Sequence, residues 1–217
     1  MFCIMSSYWV KTPRWLKRFY PADMVWDMPA GDEPTVYLTF DDGPHPTITP
    51  WVVDTLEKYN AKATFFCVGN NVARFPDTYL LLTEKGHTTG NHTYNHLNGW
   101  KTQNHHYVKN IGQAAQHVNS RLFRPPYGRI RLSQLRKLRK TDKRWQVYMW
   151  DILSGDFDKT ITPEQCLENV LTHIAPGSIV VFHDSEKAAE RMQYALPLVL
   201  EHCLANNWKV KALPVSV

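Results

Sequence analysis

Val36-Tyr37-Leu38-Thr39-Phe40-Asp41-Asp42-Gly43-Pro44-His45-Pro46 is the stretch on which the reading of this chain turns. An apolar run, Val36 to Phe40, ends in two adjacent carboxylates and then in Gly43-Pro44, where a strand cannot continue. The acid pair therefore sits at a strand end. Two ionised carboxylates side by side repel, so the arrangement requires a bound cation or a retained proton. In a protein of alternating strands and helices, that end of a strand is also where a site opens. Taken alone, the same residues also fit an Asp-Gly-Pro turn that caps the next helix.

Outward from this stretch the pattern alternates. The strand 36–40 is followed by a helix over 49–59, a strand over 63–68 and a helix over 77–85 that Gly86 ends. A short strand at 87–89 leads into the segment around His92. Then come a helix over 107–118, a strand at 122–124 before Pro125-Pro126, a basic helix over 133–140 and a strand over 146–150. Thr162 is a natural N-cap for a helix over 163–174, and 178–182 is a strongly apolar strand. A helix over 187–205, interrupted near Pro197, and a strand over 209–213 complete the chain. Such alternation predicts a parallel sheet with crossover helices, open or closed into a barrel. Residues 1–33, with Trp9, Trp15 and Trp26 among lysines, arginines and prolines, read as an aromatic and basic arm packed on a single domain over 34–217. A sugar-stacking platform is the other use of those tryptophans.

The 217 residues are 43% hydrophobic and 21% charged, enough apolar material for a sizeable core in one domain. The net charge of +5 favours an anionic partner. Much of that excess falls in the run 129–143, where Leu132, Leu135 and Leu138 mark a solvated helix. No aromatics interleave there and no nucleic-acid motif accompanies it, so nucleic acid is not an expected partner. Cys3, Cys67, Cys166 and Cys203 form no CxxC pair, which argues against a thiolate metal site or a disulfide framework and suits a reducing compartment. No basic residue precedes the first ten residues, no small-residue cleavage site follows them, and no run approaches the roughly 18 apolar residues of a membrane helix. A cytoplasmic chain without an integral membrane segment is the expectation.

Polar groups gather where the predicted strands stop. Asp41 and Asp42 follow the first; His92 to His96 follow the third; Arg124-Pro125-Pro126-Tyr127-Gly128, Trp150-Asp151, Ser154-Gly155-Asp156-Phe157 and His183-Asp184 follow later ones. In a parallel barrel these converge on one face. His92 and His96, four apart, would share one side of a helical turn and reach a common cation. With a carboxylate they make a three-ligand set that leaves a position open for water.

Asp41-Asp42, His92/His96, Arg-Pro-Pro-Tyr-Gly and Phe-His-Asp, in this order, resemble the polysaccharide deacetylases of carbohydrate esterase family four, the NodB-homology or chitooligosaccharide deacetylase-like family. Thr-Phe-Asp-Asp-Gly-Pro is the most specific of these signatures, and the resemblance covers 35 to about 213. It implies a distorted (β/α) barrel, of (β/α)7 type. Asp42, His92 and His96 would hold a divalent metal, most often zinc, and Asp41 would be the general base. Arg124 would pair with Asp41. A backbone N–H at Tyr127 would help stabilise the oxyanion, and His183 would protonate the leaving amine. Val181 would line a pocket for the acetyl methyl, with Pro126, Trp150 and Phe157 along the sugar groove. Read as ordinary residues, Arg124 fits a surface turn, His183 a satisfied core histidine, and Phe157 and Val181 plain packing.

One motif departs from the family. Its fourth usually reads Asp-x-x-Asp-Trp, and the first Asp tunes the histidine acid; here the stretch is Leu153-Ser154-Gly155-Asp156-Phe157. Asp151 lies two residues before Leu153, on the same face of a strand, so Asp151 is expected to support His183 while Asp156 shapes the groove. The resemblance implies a metal-dependent hydrolase that removes N-acetyl groups from N-acetylglucosamine units of peptidoglycan or chitooligosaccharide-type glycans. The rival readings are an O-acetyl esterase acting on xylan and a carbohydrate-binding relative without catalysis.

Overall fold

The computed structural model describes residues 8–29 and 31–215. Among these residues, helices and strands run in the order α1 (Arg14–Lys17), β1 (Met24–Val25), β2 (Thr35–Asp41), α2 (Ile48–Lys58), β3 (Thr64–Cys67), α3 (Gly69–Arg74), α4 (Pro76–Glu84), β4 (Thr88–Asn91), α5 (Asn104–Ala114), β5 (Leu122–Phe123), α6 (Leu132–Leu138), β6 (Gln146–Tyr148), β7 (Ile152–Leu153), α7 (Pro163–Leu171), β8 (Ile179–His183), α8 (Ala189–Ala205) and β9 (Lys209–Val210). The sheet order is β1-β6-β5-β4-β3-β2-β8-β7, with β9 added to β2, and every strand pair is parallel. Parallel strands need crossovers, and helices supply them, so the central strands are covered on both faces. Val36, Leu38, Phe40, Val180 and Phe182 are accordingly buried beneath Val52, Val53 and Leu56 of α2 and Met192, Leu196 and Val199 of α8.

The sheet is curled into the distorted (β/α) barrel. β6 and β7 stand near opposite ends of the strand order, yet only residues 149–151 separate them. A link that short spans at most about 14 Å, so the two edges must face each other. Residues 10–12 and β1 fill the seam. β1 extends one edge by pairing with β6. Residues 10–12 lie against the other, where Val10 accepts a hydrogen bond from Leu153 N (2.8 Å) and Thr12 N donates to the Asp151 carbonyl (2.8 Å). Met24 and Trp26 are buried in the same closure.

Three local readings change. His92 and His96 are on an irregular loop and not on a helical turn. Pro197 sits inside an unbroken α8, held by the buried Leu196, Val199 and Leu200 around it. The strand expected over 146–150 stops at Tyr148, and β7 then begins on the far edge. Cys67, Cys166 and Cys203 are buried free thiols, and Cys3 lies outside the described residues. No helix among the described residues is long and apolar enough to cross a membrane.

Candidate active site

Because the strands are parallel, their C-terminal ends open on one side, and the pairing register sets who meets whom. Asp41 is directly opposite His183 on β8. β2 ends there, and the next residue, Asp42, adopts a left-handed backbone (φ 80); both carboxylates come near His92 Nε2, Asp42 Oδ1 at 3.7 Å and Asp41 Oδ2 at 3.9 Å. Gly43 follows under a tight constraint: a Cβ on it would come within 2.0 Å of Asp184 Oδ2. Asp184 accepts from Gly43 N (3.0 Å) and from Thr49 Oγ (2.5 Å), and its own N–H donates to the Asp41 carbonyl (3.2 Å). Burial raises the Asp184 carboxyl to about 7.

The histidine loop is scaffolded by two buried asparagines. Asn91 accepts from Thr93 N (2.9 Å), while Asn110 accepts from Tyr94 N (2.9 Å) and Asn95 N (3.1 Å). Left-handed residues at Thr93 (φ 62) and His96 (φ 53) bend the loop back, bringing the two imidazoles to 5.1 Å between centroids. His92 Nδ1 lies 2.8 Å from the Arg124 carbonyl, to which it donates, so its Nε2 carries the lone pair. Burial pushes the His92 pKa down to about 4 and keeps the ring neutral.

Ligand atoms from Asp42, His92 and His96 all lie within 4.8 Å of one another. Asp42 Oδ1 is 3.0 Å from His96 Nε2 and 3.7 Å from His92 Nε2, yet it is buried without a hydrogen-bond partner. A buried carboxylate oxygen left unbonded between two imidazole nitrogens fits a cation at their common centre, and the donor set of one carboxylate and two imidazoles suits zinc. Burial opposes ionisation of Asp42, but His96 close by and the charge of His183 hold its carboxyl well below the ordinary range.

Asp41 faces the same point with a different set of partners. Arg124, fully buried, donates from Nη1 to Asp41 Oδ1 (2.8 Å) and to Thr39 Oγ (2.7 Å), and from Nη2 to the Met149 carbonyl (2.8 Å). Its guanidinium lies 4.1 Å from the Phe66 ring centre. On the other side, His183 Nδ1 is 2.7 Å from Asp156 Oδ1, and His183 N donates to Asp156 Oδ2 (2.6 Å). Burial disfavours an imidazolium at His183, but the Asp156 carboxylate outweighs it and raises the pKa to about 10.

Three expected roles change with this geometry. Asp151 does not reach His183. It donates its N–H to the Ile179 carbonyl, four residues and about 13 Å down β8 at ~3.3 Å per residue, and its carboxylate is held by Lys11, Lys17 and Ser178 Oγ. Asp156 is fully buried behind His183 and does not border the groove. Pro126 is buried and does not border it either. Ser154 N pairs with the Val181 carbonyl (3.1 Å), and Gly155 (φ 79) then turns the chain so that Asp156 comes back beneath His183. Gly155 has no room for a Cβ, which would meet the Tyr8 hydroxyl at 2.6 Å.

A cleft of about 1210 Å³ opens over this centre, with Tyr127, Trp150, Leu153, Phe157 and Val181 among its walls. Tyr127 is left-handed (φ 59) and its ring lies 4.6 Å from that of His96. The supporting residues Asp184, Thr49, Thr39, Asn91 and Asn110 went unassigned in the sequence reading. Of these, Thr39 carried a signal by opening Thr-Phe-Asp-Asp-Gly-Pro, and Asp184 by following His183 at the end of an apolar strand.

An open parallel-strand barrel with an Asp-His-His cluster, an arginine-paired Asp41 and a carboxylate-supported His183 at its strand ends defines a class of metal-assisted hydrolase. Residues 29–145 match the polysaccharide deacetylase family model. A peptidoglycan-N-acetylglucosamine deacetylase of Bacillus cereus is 35% identical over 69% of this chain, and the match spans 56% of that relative's length. A chitooligosaccharide deacetylase of Azorhizobium caulinodans is 31% identical over 70% of this chain and 75% of the relative. The crystal structure of the Bc1960 peptidoglycan N-acetylglucosamine deacetylase superposes with a TM-score of 0.79 at 28% identity, covering 94% of this chain and 95% of that one. The chain belongs to the polysaccharide deacetylase family.

Proposed function

We propose that this protein is a metal-dependent glycan deacetylase that hydrolyses the N-acetyl group of N-acetylglucosamine units, with zinc as its cation. The observation that carries the reading is the convergence of Asp42, His92 and His96 within 4.8 Å, flanked by Asp41 on Arg124 and His183 on Asp156. When bound, a divalent cation supplies Lewis acidity to the attacking water and to the acetyl carbonyl.

The chain's own residues do the rest. Asp41, paired with and aimed by Arg124, takes the proton from the attacking water. The Tyr127 backbone N–H donates to the oxygen that becomes negative as the carbonyl turns tetrahedral. His183, protonated at neutral pH because Asp156 stabilises its imidazolium, gives its proton to the departing amine, and acetate and a free amino sugar result. Val181 and Leu153, adjacent across β7 and β8, wall the acetyl methyl, and Trp150 and Phe157 border the sugar.

Acetate release from N-acetylglucosamine oligomers, measured before and after chelation and on zinc return, tests the proposal. Release that stops with chelator and recovers with zinc is the expected result. Release from O-acetylated xylan with none from the amide substrates would overturn it.

A further inference from the structure

The cleft carries a charge pattern that acetyl removal does not use. Its walls include the cations Lys101, Arg129 and Lys187, all exposed, and none of them forms an ion pair among the described residues. They stand on opposite sides of β2, whose end bears Asp41 and Asp42. Arg129 follows Tyr127 on the β5 side, where the Tyr127 ring touches His96, and its carbonyl accepts from Gly99 N (3.1 Å), which brings Lys101 to the same end. Lys187 is on the β7 and β8 side, its Nζ 5.5 Å from the Phe157 ring centre, and that ring lies 5.3 Å from His183. Two carboxylates share the Lys187 side: Glu186, itself on the cleft wall, faces His45 at 3.3 Å, and Asp158 accepts from Tyr8 (3.1 Å) and Thr160 (2.7 Å) and feels the charge of Lys187.

We propose that the two cationic flanks are carboxylate-binding subsites, so that the preferred substrate is an N-acetylated glycan whose sugars on either side of the reacting unit carry carboxylates. The inference rests on the deacetylase reading above and narrows its substrate class. A sugar whose acetamido group is over the Asp42, His92 and His96 cluster presents its neighbours to Lys101 and Arg129 on one flank and to Lys187 on the other. A neutral N-acetylated glycan offers those flanks hydroxyl and acetamido groups but no counter-charge, leaving Arg129 over the Trp100 ring (4.9 Å) and Lys187 over the Phe157 ring (5.5 Å). An acidic one gains complementary contacts at both ends and is drawn into the cleft by its field.

The test uses the zinc-loaded full chain and three glycans of equal length: a peptidoglycan tetrasaccharide with free carboxylates, the same tetrasaccharide with its carboxylates amidated, and N-acetylchitotetraose. Acetate-release kinetics and titration calorimetry are run on each. The free-carboxylate glycan is expected to exceed the amidated one by about tenfold in kcat/KM, mostly through KM, because several exposed charge contacts add modestly. That ratio should fall toward one at about 0.5 M salt, where the screening length is only a few ångströms, and in the Lys101→Gln, Arg129→Gln, Lys187→Gln triple variant. Equal kcat/KM and equal affinity for the free and amidated glycans in the wild-type protein would overturn the proposal while leaving the deacetylase intact. Acetate release from none of the three would instead overturn the deacetylase reading, and the calorimetric comparison would still decide the subsites.

Discussion

Asp41 and Asp42 are neighbours in sequence, but the backbone gives them separate partners and separate work. Arg124 holds Asp41 from below, whereas Asp42 faces the two imidazoles. Replacing Asp42 with Asn should therefore cut zinc affinity, read by chelator competition, by at least about tenfold through loss of an anionic ligand. Asp41→Asn should keep zinc and lose about 10²- to 10⁴-fold in kcat, the usual worth of a positioned base. Similar kcat losses with zinc retained in both variants would remove the distinction. The histidine acid allows a sharper test. Asp156 raises the His183 pKa to about 10, so the imidazolium persists to high pH and the alkaline limb of kcat reports its loss. Asp156→Asn should move that limb at least one pH unit lower, while Asp151→Asn, tied to Lys11 and Ser178, should leave it in place. At this scale the sequence showed which residues matter better than it showed how they are held. That Asp41, Asp42, His92, His96, Arg124 and His183 would meet at the strand ends was legible from motif order. The partner of His183 was not, because whether Asp151 or Asp156 reaches it depends on strand register and on a turn at Gly155.

Elements rather than single side chains set the spacing of these groups, and two of them escaped the sequence for physical reasons. Residues 69–74 fell between the expected strand and helix with no element assigned, yet Gly69-Asn70-Asn71 opens α3. β7 is two residues long, too short for a period-2 signal, and is specified by its pairing with β8. The His92 to His96 loop shows the opposite case: its i, i+4 spacing suggested a helix and brought the right residues together for the wrong reason. Asn91 and Asn110 replace the helix's own hydrogen bonds there. The turn after β2 makes a comparable demand, and Gly43→Ala tests it. Its Cβ would come within 2.0 Å of Asp184 Oδ2, so either the Asp184 carboxylate or the Asp41-Asp42 backbone must move. A loss of roughly 1–3 kcal/mol in urea unfolding is expected, the scale of overpacking at a buried site, together with weaker zinc binding. Wild-type stability and zinc affinity in this variant would show that Asp184 does not lock the turn.

Across the whole molecule the alternation of strand and helix was readable, because each element has a local period, but the seam was not. Its closure joins residues 10–12 to β7 and β1 to β6, contacts more than a hundred residues apart for which no local pattern exists. The opposite end of the barrel from the site supplies the last test. His87, 6% exposed, accepts a hydrogen bond from Ala63 N at Nδ1 (3.2 Å) and has its edge against Phe65. Burial first, then the charge of Lys62, pushes its pKa down to about 4. The unfolded chain, with His87 near 6.5, therefore binds the extra proton between about pH 4 and 6.5, and stability falls as the pH is lowered through that window. His183 behaves in the reverse sense, since its raised pKa contributes stability below about 6.5 that is lost only as the pH climbs toward 10. Acid sensitivity near pH 5 should thus trace to the two buried neutral imidazoles, His87 and His92, and not to His183; His87, away from the site, lets its share be read alone. His87→Asn keeps an acceptor for Ala63 N without a titrating group. Its unfolding free energy relative to wild type should improve by about 2 kcal/mol between pH 7 and pH 4.5, one pKa unit being ~1.4 kcal/mol. A wild-type-minus-variant difference that stays flat across those pH values would show that His87 does not contribute to the acid limit of the fold.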